Sequence, residues 1–153
     1  MIRLGETLGE DPVLLKSVIE VNERQPLRMV ELLERRVGPL FGKEVAVLGL
    51  AFKNDTDDVR DSRALPVIKE LLRRGALIRA YDPLASSNMR GIVQDIEYCE
   101  SAAGALKDAD ACLIMTEWPE FGQLDGDFDL MRSRVIIEGR KILSCGDVEG
   151  ICW

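Results

Sequence analysis

Between Lys53 and Arg63 the chain interleaves three cations, Lys53, Arg60 and Arg63, with four carboxylates, Asp55, Asp57, Asp58 and Asp61. Cations in such a loop can hold an anionic ligand, and arginine offers a planar fork suited to phosphate or carboxylate. A phosphate cradle of the usual kind instead uses a row of glycine amides. Here Gly49 stands alone, with neither G-x-G-x-x-G nor G-x-x-x-x-G-K-[ST] around it. Any anion bound here must therefore be neutralised by Lys53 and the arginines. The competing reading is a solvated loop, whose Asp and Ser residues cap a helix while its cations pair with nearby acids.

The elements around this loop fix where it lies. Residues 45–48, Val-Ala-Val-Leu, form a short continuous apolar run, the pattern of a strand buried on both faces. Gly49 turns the chain out of the sheet. A helix is expected over about 64–74, with Leu65, Ile68, Leu71 and Leu72 as its buried stripe, Pro66 in its first turn and Gly75 at its end. A second strand over 77–81 closes at Asp82-Pro83, completing a βαβ unit with parallel strands. The loop thus sits at the carboxyl end of a strand, where open α/β sheets bind ligands. Asp82 occupies the place where a dinucleotide-binding fold often keeps an acid for the ribose; a turn-forming role before Pro83 is favoured here.

Residues 84–100 are weakly patterned and should hold a short helix and an edge strand. Residues 101–108 read as a helix capped by Ser101, and 111–115 as another buried strand ending in Thr116-Glu117-Trp118. Thr116 is a candidate for touching a ligand, and Trp118 is read as a packing anchor with its indole N–H satisfied locally. Residues 135–137 form the last clear strand, followed by Glu138-Gly139-Arg140. Upstream, residues 11–37 read as one long helix or two, with Asp11-Pro12 as the start, Pro26 as a kink or break and Gly38-Pro39 as the stop. The expected fold is a Rossmann-like three-layer α/β sandwich with a mainly parallel sheet of five or six strands, preceded by an N-terminal helical segment.

Five stretches carry a family resemblance. GLAFKNDTDDVRDS, residues 49–62, closely resembles the G-L-A-F-K-x-x-T-D-D-x-R-x-S pattern that opens the C-terminal domain of the UDP-glucose/GDP-mannose dehydrogenase family. GALIRAYDPLA, ADACLIMTEW and the EGR of 138–140 continue it in order, with Glu138 in place of the family's usual Asp. DPVLLKSVIEVNERQ is similar to the end of the family's central helical region. The resemblance implies a division into 1–38, the end of that dimerisation region, and 39–153, a C-terminal nucleotide-sugar-binding domain.

The resemblance also implies roles. Phe52 and Lys53 would contact the substrate's nucleotide portion, Arg140 would approach it across the same cleft, and Arg60 would reach NAD bound on another domain. The family oxidises the 6-hydroxyl of a nucleotide sugar to a carboxylate in two NAD-dependent steps. The catalytic cysteine segment and the NAD fingerprint of that family have no counterpart in this sequence, so no catalytic residue is assigned. The chain would need the family's N-terminal half as a partner and would form a homo-oligomer through its helical segment. UDP-glucose is the preferred substrate, because TDDVRDS and AYDP look most like that branch; GDP-mannose and N-acetylated UDP-hexosamine relatives share the scaffold. The alternative is a non-catalytic Rossmann-like module serving binding or assembly.

Composition narrows the field. The chain has 153 residues, 46% hydrophobic and 31% charged, which suits one globular domain. A net charge of -7 argues against nucleic acid or an anionic membrane as partner, while leaving room for a local cationic pocket. No apolar run approaches the roughly 18 residues of a membrane span, and no signal-peptide core is present, so a cytoplasmic protein is expected. Without a histidine, and with Cys99, Cys112, Cys145 and Cys152 forming no C-x-x-C pair, neither a zinc site nor a His-based nucleophile is expected.

Overall fold

The computed structural model describes residues 13–144, 146 and 148–151. Its elements are α1 (Val13–Val37), β1 (Glu44–Leu48), α2 (Ala64–Arg73), β2 (Leu77–Tyr81), α3 (Ser86–Arg90), β3 (Glu97–Tyr98), α4 (Ala102–Leu106), β4 (Ala111–Ile114), two 3-10 turns (Pro119–Gln123 and Asp127–Leu130), β5 (Ile136–Glu138) and β6 (Val148–Gly150). The sheet runs β3-β2-β1-β4-β5-β6, and every neighbouring pair is parallel. This is the doubly wound order in which the direction of winding reverses between β1 and β4. The Rossmann-like three-layer architecture is as expected from sequence.

Alternation along the strands divides the core into two layers. Val45 and Val47 of β1, with Leu113 of β4 and Ile137 of β5, pack with α1 and α2 on one face. Ala46 and Leu48, with Cys112, Ile114 and Ile136, pack with α4, Trp118, Phe121 and Phe128 on the other. Period-two side chains in strands covered on both sides give the continuous apolar runs seen in the sequence. Ser101 caps α4, its Oγ accepting from the Gly104 amide at 3.0 Å.

Of the alternatives open at Pro26, the structure takes the single long helix: α1 is continuous from Val13 to Val37. Proline removes one backbone donor, but Met29, Val30 and Leu33 beyond it are fully buried in the sheet's core. Their burial, worth roughly 1.5–3 kcal/mol per side chain, outweighs one lost hydrogen bond. Gly38, at φ 78°, then ends the helix as expected, its N–H bonded to the Glu34 carbonyl. The proposed start at Asp11-Pro12 lies outside the described residues.

An ion-pair network fastens α1 to α2. Glu70 accepts from Arg73 and Arg74, and Arg74 also reaches Glu34 on α1. The guanidinium bonds from Arg73, and then Arg74, hold the Glu70 carboxyl down at about 2. A depressed carboxylate stabilises fully above its unfolded value and loses that contribution as pH falls through its folded value. Stability is therefore expected to decline between about pH 4.5 and pH 2. Glu70→Gln should flatten that decline by on the order of 1 kcal/mol, since the Arg73 partner is solvent-exposed. Carboxyl NMR titration alongside urea unfolding at several pH values checks this; a Glu70 midpoint near 4.5 would contradict it.

Candidate functional site

The loop after β1 leaves the sheet at the point where winding reverses. Gly49 has φ 89°, and a Cβ there would lie 2.7 Å from both the Thr116 Cβ and its backbone nitrogen. The turn out of β1 is thus packed directly on the end of β4, which only glycine allows.

The next two residues are tied on every backbone group. The Leu50 and Ala51 amides donate to Asp82 Oδ2 at 2.7 and 3.1 Å. Their carbonyls accept from Ser62 Oγ at 2.6 Å and from Thr116 Oγ1 at 3.0 Å. Asp82 also accepts from the Trp118 indole at 3.1 Å, and its other oxygen accepts from the Leu84 and Ala85 amides at 2.9 and 2.8 Å. One buried carboxylate therefore joins the loops after β1, β2 and β4. Asp82 is engaged in holding the scaffold, and a ribose would have to displace those donors.

Past this anchor the chain emerges at Phe52, whose side chain is 49% exposed. The polar loop then folds largely on itself. Thr56 Oγ1 accepts from the Asp58 amide, Asn88 holds the Asp57 carbonyl, and Asp58 takes both the amide and the guanidinium of Arg60. Arg60's side-chain hydrogen bonds hold the Asp58 carboxyl at about 2. The self-contained, solvated loop considered from sequence accounts for this part.

A cleft of about 190 Å³ opens beside the anchor. Gln25 and Pro26 of α1, Ala51 and Phe52 after β1, and Met115 after β4 line it. Arg63, Gly139, Arg140 and Ile151 complete it. Its charged lining residues are both arginines, in a chain whose net charge is -7. Cations beside apolar surface and a half-exposed aromatic ring suit a ligand with an anionic part and a flat or apolar part. Larger surface hollows, about 330 Å³ between α1 and β6 and about 500 Å³ beside β2 and β3, contain none of the predicted site residues.

Residues 46–145 match the UDP binding domain of the UDP-glucose/GDP-mannose dehydrogenase family. The chain belongs to that family. It is 50% identical over 144 residues to the UDP-glucose 6-dehydrogenase AglM of Haloferax volcanii, covering 94% of this chain and 33% of the relative. It is 36% identical over 152 residues to the UDP-glucose 6-dehydrogenase TuaD of Bacillus subtilis, covering 97% and 33%. Among solved structures, a UDP-glucose dehydrogenase from the archaeon Pyrobaculum islandicum superposes with a TM-score of 0.89 at 39% identity, over 99% of this chain and 35% of that one. The chain thus spans about a third of the length of these dehydrogenases.

In this member of the dehydrogenase family, the residues singled out from sequence are distributed unevenly. Phe52 and Arg140 line the same cleft. Lys53 is exposed, has no ion pair or side-chain hydrogen bond among the described residues, and is not in the cleft lining. Arg60 projects with 87% of its side chain exposed while paired to Asp58. Thr116 is buried and bonded to Ala51, and Trp118 is the packing anchor expected, its N–H satisfied by Asp82. Cys112 is fully buried, which pushes its thiol up and away from reactivity. Cys145 and Cys152 lie outside the described residues.

Several site-forming residues escaped the sequence. Gln25 donates to the Ile151 carbonyl at 2.9 Å, closing the cleft between α1 and the residue after β6. Glu138 is 1% exposed, and its Oε2 accepts from the Ile142 and Leu143 amides, fixing the turn that carries Arg140. The signals for Glu138 were an acid at the end of a buried strand and its place in the EGR stretch, where the family usually has Asp; neither gave its role in holding the turn. For β6 and Ile151 there was none.

Proposed function

We propose that this chain is the UDP-sugar-binding, C-terminal portion of an NAD-dependent UDP-glucose 6-dehydrogenase, seating the nucleotide in the cleft lined by Phe52 and Arg140. The observation that carries this reading is a cleft whose charged lining is wholly cationic, at the switch point of a domain matched to UDP binding. Arg140 can grip phosphate oxygens with two parallel N–H donors, and the half-exposed Phe52 ring offers apolar cover to the nucleoside. Lys53, beside Phe52, is assigned a longer-range contribution to the ligand's charge. UDP-glucose is the substrate chosen, in keeping with the names of the relatives at 50% and 39% identity.

At about 190 Å³ the cleft is smaller than the roughly 300–1,000 Å³ of a complete small-molecule site. It fits a part of a nucleotide sugar, the rest being covered by another body. Thr116 fills the space over Gly49 and Asp82 is taken up by protein donors, which supports placing the main NAD contacts on another domain. We assign NAD and the catalytic groups to the family's N-terminal portion, with Arg60 reaching the cofactor from this side. Residues 1–38 are assigned to the end of the dimerisation region, giving a homo-oligomer, and 39–153 to the binding domain. The pool of NAD and sugar nucleotides makes the cytoplasm the implied compartment.

Supplying the N-terminal portion of a UDP-glucose 6-dehydrogenase tests the assignment. Oxidising an alcohol to a carboxylate releases two hydrides, so a stably associated pair should reduce two NAD per UDP-glucose consumed. An associated, folded pair that forms no NADH would overturn it. The non-catalytic alternative would gain from that result.

A further inference from the structure

Three cations of the loop after β1 compete for any anion at this end of the sheet, and the structure separates them. Arg60 is turned outward and held by Asp58 through its Nε and Nη2. Lys53 is exposed and absent from the cleft lining. Arg63 alone of the three lines the cleft, together with Arg140.

Its neighbours determine that placement. Ser62 is 5% exposed, with its hydroxyl on the Leu50 carbonyl, and Ala64 is 1% exposed, with its amide on Ser62 Oγ. With both flanking residues buried, the Arg63 backbone is fixed where β1's loop enters α2. Helix stability does not explain an arginine there. Arg63 is the N-cap of α2, gives no side-chain cap and is followed by no acid in the first turn. That position ordinarily favours Ser, Thr, Asp or Asn and disfavours positive charge.

We infer that Arg63 is a second phosphate-binding residue of the cleft, acting with Arg140 to favour a nucleoside diphosphate over less charged nucleosides. The inference rests on the reading of the cleft as a UDP site and adds a residue to it. Two guanidiniums lining one cleft match the charge of a diphosphate, whereas a single one matches a monophosphate better. Each hydrogen bond from a guanidinium to phosphate is among the stronger ones available to a protein.

The test is calorimetric titration of this chain with UDP, UMP and uridine, for the unmodified protein, Arg63→Ala and Arg63→Lys. Arg63→Ala should weaken UDP about 10- to 100-fold, weaken UMP less, and leave uridine unchanged. Arg63→Lys should restore part of the loss, and raised salt should narrow the gap between the variants. Equal UDP affinity in Arg63→Ala and the unmodified chain, or an equal loss for all three ligands, overturns the role of Arg63 while sparing the cleft. Absence of UDP binding by the unmodified chain overturns both this inference and the reading beneath it.

Discussion

Replacing Asp82 with alanine is expected to cost about 3–5 kcal/mol of stability, a large share of the roughly 5–15 kcal/mol that holds a domain folded. Five donors converge on this carboxylate: the amides of Leu50, Ala51, Leu84 and Ala85 and the indole of Trp118. The residue is 3% exposed, so water replaces few of these bonds in the variant. Each buried donor left without a partner costs about 1–3 kcal/mol, and relaxation keeps the total below the simple sum. Asp82→Asn should fall between alanine and the unmodified protein. It keeps one acceptor oxygen but turns an NH2 group towards donors. Urea unfolding at neutral pH measures both. A loss under about 1 kcal/mol for alanine would show that the three loops do not depend on this hub.

Gly49→Ala is expected to cost about 3–5 kcal/mol and to displace Phe52. Two penalties combine. A φ of 89° is a conformation that a residue with a Cβ adopts only under strain. The added methyl would also lie 2.7 Å from the Thr116 nitrogen, and backbone at the end of β4 cannot swing aside as a flexible side chain can. Relief requires parting the β1 and β4 loops, which breaks the Thr116–Ala51 hydrogen bond and shifts the mount of Phe52. Gly126→Ala is the control, because a Cβ there meets nothing within 4 Å and no positive φ is involved. It should stay within about 0.5 kcal/mol of the unmodified protein. Matching losses at Gly49 and Gly126 would contradict the close approach.

These two positions show how much of the molecule could be read in advance. Gly49 was legible as a turn because it follows four apolar residues of a doubly buried strand. The need for it, Thr116, is 67 positions further on and was not visible. Asp82 was legible as a turn residue from the proline after it. Its partners Leu50, Ala51 and Trp118 lie 31 to 36 positions away, so its wider role depends on sheet order. The parallel direction of the strands followed from their alternation with helices, since parallel strands need crossovers; their order in the sheet did not. Pro26 left one helix or two open in the sequence, and the burial of Met29, Val30 and Leu33, which outweighs intrinsic helix preference, selects one. β6 pairs through only three residues, Val148–Gly150, too short a stretch to carry a period.

The site was legible in kind and less so in membership. A loop with three cations and four acids has many pairings of similar energy, and sequence cannot rank them. Geometry does so: Asp58 withdraws Arg60 into the loop, while the buried neighbours Ser62 and Ala64 bring Arg63 to the cleft. Arg140 is placed from the far side of the switch point by Glu138, whose carboxylate holds the turn after it.

The most direct test of the account is calorimetric titration of this chain with UDP and with GDP, repeated on Arg140→Ala. Arg140 is exposed and has no ion pair or side-chain hydrogen bond among the described residues. Its removal should leave the unfolding midpoint unchanged. UDP should bind in preference to GDP, and Arg140→Ala should weaken UDP by about 10-fold or more. UDP bound equally well by Arg140→Ala, or no better than GDP by the unmodified chain, would contradict a UDP site in this cleft.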